Sequence, residues 1–274
     1  MKEIYSFPKV NICFKILGFL PNNYCKIASR FLKVKHKNLR DTLNITESSD
    51  FNISGNFDCQ MQENTIFKAK EALKFYLQNA INTAPHNHIN SYKNAINLLD
   101  CFHIEVEKKI PAFAGLGGGS SNAASFLLAM NEILELKLSK NILCKIAKNI
   151  GADVSFFVCD YDSANVFGIG EKVESFSETI PDLEIITPNI KCSTKAVYDE
   201  FRKKQQLREI DFFHDESELL KQDSTNLLQK NTRNFLNDLY LAALAIYPQL
   251  SEIAKDGYFF SGSGSSFFRL KSVK

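Results

Sequence analysis

The residues best suited to chemistry form a glycine-rich stretch at positions 111–124, which reads Pro-Ala-Phe-Ala-Gly-Leu-Gly-Gly-Gly-Ser-Ser-Asn-Ala-Ala. Four glycines fall between Gly115 and Gly119. Glycine loses the most backbone entropy on folding and adds no apolar surface, so this density indicates a need for exposed N–H groups. The stretch precedes a predicted helix, whose unpaired N–H groups and positive dipole end favour anions. The pattern therefore predicts a cradle for a phosphate group.

Two common kinds of phosphate loop do not match this stretch. A Walker A loop ends in Gly-Lys-Ser or Gly-Lys-Thr, whereas Gly119 is followed directly by Ser120. A dinucleotide-binding loop needs a glycine where Ser120 stands and an acidic residue after the next strand. A surface turn with helix-capping serines is the structural alternative, and the number of glycines disfavours it.

A second glycine and serine cluster, Ser261-Gly262-Ser263-Gly264-Ser265-Ser266, lies between two pairs of phenylalanines. Taken alone, it is typical of a tight hairpin. In a chain that already has one phosphate cradle, it is also a candidate for a second turn that faces phosphate.

Two charged residues could supply the rest of a phosphoryl transfer. Lys9 directly precedes an alternating strand, and Asp153 follows Gly151 at the predicted end of a helix. Each taken singly is commonly a solvent-exposed charge. Together with a phosphate cradle they predict a kinase, because the reaction needs a carboxylate to take the acceptor's proton and a cation to offset the transferring charge. A lysine close to the aspartate would also keep the carboxylate ionised.

The elements that must position these residues alternate between strands and helices, which predicts an α+β fold. Asn64 and Ser139 are placed as helix starts, and either Ser120 or Ser121 begins the helix after the glycine loop. A boundary near position 160 predicts an N-terminal domain at 1–160 and a C-terminal domain at 161–274. The spacing predicts an alternating, half-buried strand at 10–18, a helix at 64–80 and an alternating strand at 102–108 with its apolar residues inward. It further predicts helices at 120–134 and 139–151, a hairpin at 164–176, a strand at 183–187, a polar connector at 207–224, a helix at 237–253 and a strand–turn–strand at 258–270.

The composition excludes several classes of protein. The chain has 274 residues, of which 45% are hydrophobic, enough for a sizeable core rather than a disordered or low-complexity segment. Its 33 basic and 31 acidic residues leave a net charge of +2, so neither a nucleic-acid nor a membrane partner is expected. The seven cysteines are scattered without a Cys-x-x-Cys pair, which argues against a disulfide framework or zinc site and favours a cytoplasmic location.

The ordered motifs resemble the GHMP kinase superfamily over nearly the whole chain. Pro8-Lys9-Val10-Asn11 is similar to the family's opening Ala-Lys-x-Asn, and positions 111–124 match its glycine motif almost letter for letter. Gly-Ala-Asp-Val-Ser-Phe-Phe at 151–157, Asn-Asp-Leu at 237–239 and the second cluster at 261–266 follow in the family's order. The resemblance implies the two-domain GHMP kinase fold, with an N-terminal domain like ribosomal protein S5 domain 2 and a ferredoxin-like C-terminal domain.

The same resemblance implies roles for individual residues. Lys9 and Asp153 would be catalytic, and Ser121 would hold Mg²⁺. ATP would be the phosphate donor, and the C2 hydroxyl of a cytidine-diphosphate-linked methylerythritol would be the acceptor, in non-mevalonate isoprenoid synthesis by a monomer or weak homodimer. The implied substrate contacts are Asn11, Tyr24, Cys25, Gly262, Ser263 and Gly264. The implied ATP contacts are Asn64, Pro111, Ala112, Phe113, Ala114, Gly115, Leu116, Gly117, Gly118, Gly119, Ser120 and Ser121.

The sequence departs from the family where the nucleoside would be recognised. Asn22-Asn23-Tyr24-Cys25 stands where the family usually reads Asp-Gly-Tyr-His, so a cysteine replaces the histidine expected at the cytosine. Two alternatives stay open at this point: another GHMP small-molecule kinase, of homoserine or mevalonate type, and a nucleotide-binding relative that has lost catalysis. The opening motif and Tyr24 argue against the first, and the presence of both Lys9 and Asp153 argues against the second.

Overall fold

The computed structural model describes residues 1–21, 24–83, 86–207, 212, 216–253, 255 and 257–271. The strands are β1 (Lys2–Ser6), β2 (Lys9–Phe19), β3 (Cys25–Lys33), β4 (Asp41–Glu47), β5 (Asn52–Gly55), β6 (Phe102–Glu107), β7 (Ser163–Gly168), β8 (Lys172–Ser175), β9 (Leu183–Ile186), β10 (Phe259–Phe260) and β11 (Phe267–Leu270). The α-helices are α1 (Thr65–Ala80), α2 (His86–Leu98), α3 (Gly118–Ile133), α4 (Lys140–Ala147), α5 (Val154–Cys159), α6 (Thr194–Gln206), α7 (Glu216–Leu219), α8 (Ser224–Lys230), α9 (Arg233–Leu236), α10 (Tyr240–Ile246) and α11 (Leu250–Ile253). Within the described ranges, no helix is both long and apolar enough to span a membrane.

The chain forms two compact units, each assembled from separate stretches. The first contains Met1–Pro8, Lys35–Ile110 and Gly118–Asp160, and the second contains Lys9–Val34, Pro111–Gly117 and Tyr161–Lys274. The glycine-rich loop is therefore shared, since its residues up to Gly117 belong to the second unit and those from Gly118 to the first. The domain limits 1–160 and 161–274 stay a prediction.

The first unit is built on a four-stranded sheet in the order β1-β4-β6-β5, in which only the β5–β6 pair is parallel. The alternation predicted for β6 is confirmed, because Phe102, Ile104 and Val106 are buried between more exposed polar residues. Helix α3 packs against α1, α5 and β1. The sheet and these helices enclose the core of the unit.

Helix starts in the first unit follow local chemistry. Asn64 and Ser139 cap α1 and α4 as predicted, since their side chains accept hydrogen bonds from the backbone N–H groups of Ile66 and Ile142. Helix α3 begins at Gly118, earlier than the predicted start at Ser120 or Ser121. Helix α4 ends at Ala147 rather than at Gly151, because the N–H groups of Asn149 and Ile150 bond to carbonyls three residues back and the chain continues as turns.

The second unit contains two sheets. One is antiparallel in the order β2-β3-β7-β8, and the other has the order β10-β11-β9. The predicted hairpin at 164–176 and the strand–turn–strand at 258–270 are confirmed as β7–β8 and β10–β11. The prediction that β2 is half-buried is wrong, because every residue from Lys9 to Ile16 is buried. Polar residues of this strand are therefore held inside the unit.

Helices α6 and α10 pack together in the second unit, and their apolar residues join those of β2, β3 and β11 in one core. The helix predicted at 237–253 is interrupted, since α10 ends at Ile246 and α11 begins at Leu250. Pro248 lies in the gap and lacks the N–H group that a continuous helix needs. The connector predicted at 207–224 contains α7, and its positions 208–211 and 213–215 lie outside the described residues.

Candidate active site

Lys9 is a buried cation at the start of β2. The residue is 4% exposed, and its Nζ donates to Asn11 Oδ1 at 2.6 Å and to the Gly115 carbonyl at 3.0 Å. The ammonium group also lies 4.8 Å from the centroid of the Phe31 ring. Burying an ammonium group is unfavourable unless it is well hydrogen-bonded. These contacts therefore fix the position of the Lys9 charge beside the first glycine loop.

Asn11 lies two residues after Lys9 in β2 and orients the lysine side chain. Its Nδ2 donates to Ser29 Oγ at 3.0 Å, so its Oδ1 is the end that accepts from Lys9. Its backbone N–H donates to Ser261 Oγ at 3.3 Å. The residue is 1% exposed. In this structure Asn11 is a buried support for the lysine and for the second cluster.

The two glycine clusters meet through backbone atoms in the second unit. Gly115 has φ +72°, and a Cβ atom there would overlap the carbonyl oxygen of Ser261. Ser261 Oγ donates to the Gly115 carbonyl at 3.1 Å, and the Ser266 N–H donates to the Ala114 carbonyl at 3.1 Å. Only glycine allows both this left-handed backbone and this approach. Contacts with the second cluster thus help to determine the backbone conformation of the first glycine loop.

Gly262 lies closest to the buried lysine within the second cluster. A Cβ atom on Gly262 would lie 3.0 Å from Asn11 Oδ1 and 3.6 Å from Lys9 Nζ, and its φ is +56°. Asn237 holds this turn, because its Nδ2 donates to the carbonyls of Phe260 and Gly262 at 2.8 and 3.0 Å. Asn237 of the Asn-Asp-Leu motif therefore holds the turn around Gly262 in place.

The other predicted residues of the second cluster and the first loop differ in exposure. Ser263 Oγ is 2.9 Å from Thr194 Oγ1, and a Cβ on Gly264 would overlap the Phe260 ring. In the first loop Pro111, Ala112 and Phe113 are exposed, Gly115 and Gly117 are half-buried, and Ala114 and Leu116 are buried. Phe113 is 49% exposed with φ +56°, a strained backbone for an aromatic residue. Strain of this kind is concentrated at ligand sites.

Tyr24 precedes β3 and Cys25 is the first residue of that strand, and the two side chains have opposite environments. Tyr24 is 53% exposed, whereas Cys25 is buried in the apolar core of the second unit. Burial raises the pKa of the Cys25 thiol, and the nearby Arg202 guanidinium opposes that effect. A buried neutral thiol behaves as a small apolar side chain. The structure therefore gives Cys25 a packing role and leaves Tyr24 able to face a ligand.

In the first unit, the start of α3 is tightly packed on one side. A Cβ atom on Gly118 would lie 2.7 Å from Ile110 Cγ2, and Thr65 Oγ1 donates to the Gly119 carbonyl at 2.7 Å. Gly118 thus has no room for a side chain. The first N–H groups of a helix have no partner within it and carry its positive dipole end. This geometry fits the predicted anion cradle.

Lys108 was not singled out by the sequence patterns. Its ammonium pairs with the buried Asp41 and lies 3.6 Å from the position that a Cβ on Gly118 would take. Asp41 also accepts from the backbone N–H groups of Lys109 and Ile110, which fixes the segment leading to the loop. A cation beside a helix N-terminus is unfavourable on its own and becomes favourable when an anion binds there. The signal was the Lys108-Lys109 pair between a strand and the glycine loop.

The hydroxyl of Ser121, the residue that the resemblance implies as a Mg²⁺ ligand, is engaged by neighbouring residues in this structure. Its hydroxyl donates to the Phe7 carbonyl at 2.7 Å and accepts from Ser6 Oγ at 2.7 Å, and it is buried. The hydroxyl thus ties α3 to β1. Ser120 is half-buried and is the better exposed hydroxyl of the pair. The described residues contain no cluster of three or more His, Cys, Asp or Glu that could hold a metal.

Asn64 and Asp153 each stand at the start of a helix in the first unit. Asn64 is buried, and its Oδ1 accepts from the Ile66 N–H at 2.9 Å, so the oxygen of its amide is used for capping. Asp153 occupies the cap position of α5 and is half-buried, yet its carboxylate makes no capping hydrogen bond. Helix capping therefore explains Asn64 and does not explain Asp153.

The comparisons with known proteins agree with this architecture. Residues 76–161 match the family described as GHMP kinases N terminal domain. The fold and the glycine loop that runs into a helix thus define the chain as a GHMP kinase.

Over 99% of its length, the chain is 43% identical to the 4-diphosphocytidyl-2-C-methyl-D-erythritol kinase of Sulfurimonas denitrificans, of which 97% is covered. It is 40% identical to the enzyme of the same name from Helicobacter pylori strain J99, with 99% of this chain and 94% of that one covered. A crystal structure of 4-(cytidine 5'-diphospho)-2C-methyl-D-erythritol kinase matches with a TM-score of 0.73 and 26% identity, covering 98% of this chain and 90% of that one. The chain belongs to the 4-diphosphocytidyl-2-C-methyl-D-erythritol kinase family.

Proposed function

We propose that this protein transfers the γ-phosphate of ATP to the C2 hydroxyl of 4-diphosphocytidyl-2-C-methyl-D-erythritol, giving the 2-phosphate and ADP. The observation that carries the proposal is the buried ammonium of Lys9, which is hydrogen-bonded to the first glycine loop and lies beside the Gly262 turn of the second. Relatives that share 40–43% identity over the full chain are named for this substrate, which favours it over homoserine or mevalonate.

The chemistry of the transfer is divided among a few groups in this proposal. Backbone N–H groups of the glycine loop and of the start of α3 bind the phosphates of ATP. Lys9 offsets the negative charge that spreads over the transferring group. Asp153 accepts the proton of the attacking hydroxyl as the new O–P bond forms and the bond to ADP breaks.

Mg²⁺ enters the proposal as the counter-ion that arrives with ATP. Magnesium usually keeps several waters and takes only one or two protein ligands beside the phosphates. The engaged hydroxyl of Ser121 does not fit the ligand role that the sequence suggested. The ion would lower the negative charge of the phosphates when bound, and the assignments of Lys9 and Asp153 do not depend on it.

Recognition of the cytosine ring falls to Tyr24 in this proposal. Its exposed ring offers a flat apolar surface, on which a nucleobase can stack. The buried Cys25 cannot donate a hydrogen bond to the base in the way a histidine could. We therefore expect stacking to carry more of the cytidine affinity than hydrogen bonding at this position. A cytoplasmic location and a monomeric or weakly dimeric state complete the proposal.

The test compares ATP consumption with the cytidine diphosphate substrate, homoserine and mevalonate at equal concentrations. We expect turnover with the first substrate only. Asp153→Asn should lower kcat by at least about 100-fold with ATP binding retained, since a general base contributes roughly 100- to 10,000-fold. Asp160→Asn is the matched control, because Asp160 is exposed at the other end of α5 with φ +61°, a conformation that asparagine tolerates.

Each outcome of this test has a definite meaning. Turnover with homoserine or mevalonate and none with the cytidine substrate would overturn the substrate assignment. Wild-type kcat in Asp153→Asn would remove Asp153 from the chemistry, whereas an equal loss in Asp160→Asn would point to damage of α5 rather than to catalysis. No ATP consumption with any acceptor would favour the noncatalytic binding relative.

A further inference from the structure

Two cysteines of the first unit lie side by side although they are 15 residues apart in sequence. Cys144 lies on α4 and Cys159 is the last residue of α5, and their Sγ atoms are 3.5 Å apart. Both residues are partly exposed. The sulfurs need to approach by only about 1.5 Å to reach the S–S bond length. The pair is thus close to the geometry of a disulfide while both thiols are free.

The surroundings of the pair activate one of the two thiols. The hydrogen bond from Cys159, together with the nearby Lys140 charge, lowers the pKa of Cys144 to about 7, and the same interaction raises the pKa of Cys159. Lys140 Nζ donates to the Cys159 carbonyl at 3.0 Å, which keeps the ammonium beside the pair. A thiolate, not a thiol, is the attacking species in thiol chemistry. Cys144 is therefore placed to attack first.

Four other cysteines lack this activation. Burial raises the pKa of Cys13 and of Cys192 to about 11, and it also raises the pKa of Cys25. Cys59 is exposed, and its pKa is raised as well, mainly by burial and by the nearby Glu63 carboxylate. Exposure alone therefore does not single out a reactive cysteine in this chain.

We propose that Cys144 and Cys159 form a thiol modification site that takes small disulfides such as oxidised glutathione and closes into an intramolecular disulfide. The Cys144 thiolate attacks one sulfur of the small disulfide, whose S–S bond breaks and releases one glutathione thiolate. Cys159 then loses its proton, and its sulfur attacks Sγ of Cys144 and releases the second glutathione. The two cysteines are oxidised by two electrons, the small disulfide is reduced to two thiols, and these thiols receive the two protons.

The second step is favoured by the geometry that activates the first. The hydrogen bond to Cys144 is the largest cause of the raised pKa of Cys159, and burial and the Cys144 charge add to it. The hydrogen bond and the charge are lost once Cys144 carries glutathione. The Cys159 sulfur is then a neighbour of the bond that it must break. Attack by the neighbouring Cys159 sulfur is intramolecular, so it has a large rate advantage over attack on the mixed disulfide by a thiol from solution. The mixed disulfide should consequently be short-lived in the wild type.

The experiment exposes the full-length protein to oxidised glutathione under native conditions and follows intact mass and peptide maps. The wild type should lose the mass of two hydrogens, with a Cys144–Cys159 cross-linked peptide, and dithiothreitol should restore the original mass. Cys159→Ser should stop with one glutathione on Cys144. Cys144→Ser should form neither product at this site. Cys59→Ser is the matched control and should behave as the wild type.

Several results would overturn the proposal. One is a stable glutathione adduct on wild-type Cys144 with no cross-link, and another is faster modification of Cys59 than of Cys144. A cross-link that pairs either cysteine with another partner would also do so. Circular dichroism checks that the serine variants fold, and if they do not, the peptide map of the wild type alone decides between the cross-link and its absence.

Discussion

Replacing Gly262 by alanine, compared with a control variant at Gly257, separates the effect of backbone strain from the effect of displacing the buried lysine. The new Cβ would lie 3.0 Å from Asn11 Oδ1, so the Asn11 amide must move by a few tenths of an ångström. That oxygen accepts the 2.6 Å hydrogen bond from Lys9 Nζ. The φ of +56° adds about 1–2 kcal/mol of strain for any residue with a Cβ. We expect a moderate loss of stability and a displaced Lys9 charge.

Gly257→Ala provides the matched control for this perturbation. Gly257 has φ +78°, and among the described residues other than its chain neighbours no heavy atom lies within 4 Å of its would-be Cβ, so we expect alanine there to meet mainly the left-handed strain. Both variants should lose about 1–2 kcal/mol of unfolding free energy in urea titrations. Only Gly262→Ala should lose activity, and by less than about 100-fold in kcat, because the Asn11 amide shifts by a few tenths of an ångström whereas a misplacement of about 1 Å costs about 100-fold.

Two outcomes would refute this reasoning. Equal losses of kcat in the two variants would show that left-handed strain anywhere in the second unit disturbs activity, so that the contact with Asn11 has no special weight. Wild-type kcat in a folded Gly262→Ala protein would show that the position of the Lys9 ammonium tolerates the shift. The measurements needed are urea unfolding curves and steady-state kinetics with ATP and the cytidine substrate.

Three further predictions concern other contacts. Lys9→Met should change the free energy of unfolding in urea by less than about 3 kcal/mol, because the cost of leaving hydrogen-bond acceptors unpaired is offset by removal of a buried charge. Its kcat should nevertheless fall at least about 100-fold, and a wild-type kcat would contradict this prediction. Asn64→Ala should lower stability by about 1 kcal/mol through loss of the α1 cap, and Asn64→Asp should restore it in thermal unfolding. Iodoacetamide labelling of Cys144 should rise through a pH of about 7 as its thiolate forms, well below the pH at which Cys59 labels; identical profiles by peptide mass spectrometry would contradict the lowered pKa.

Local chemistry explains which parts of the fold could be predicted from the sequence. The caps at Asn64 and Ser139 depend on a side chain and a backbone N–H within three positions, so short patterns suffice. The burial of β2 depends on what covers both of its faces, which the strand's own alternation cannot report. The prediction of a half-buried strand failed for that reason. The same cover places Lys9 and Asn11 inside the unit.

The candidate site shows the same division between motif and partner. The glycine motifs were visible because their composition is unusual, but the bond between Ser261 and Gly115 joins positions 146 residues apart. No spacing rule links such positions. The support from Ser29, and the bonds by which Asn237 holds the Gly262 turn, are found only through the fold. The sequence patterns do not indicate Lys108, because its position beside the start of α3 is set by the fold. The sequence can thus predict the parts that touch a ligand more readily than the parts that hold them.

The near-neutral charge of the chain fits a ligand that carries several phosphates once the cations are located. A net charge of +2 gives little long-range attraction, and any surface field is screened within about 8–10 Å at physiological salt. The cations placed beside the glycine-rich loop are Lys9, which is buried, and Lys108, whose partner Asp41 is buried. Charges and backbone N–H groups held in such places act at short range and are screened much less by salt. Anion binding of this kind needs no excess of basic residues, so the overall composition conceals it.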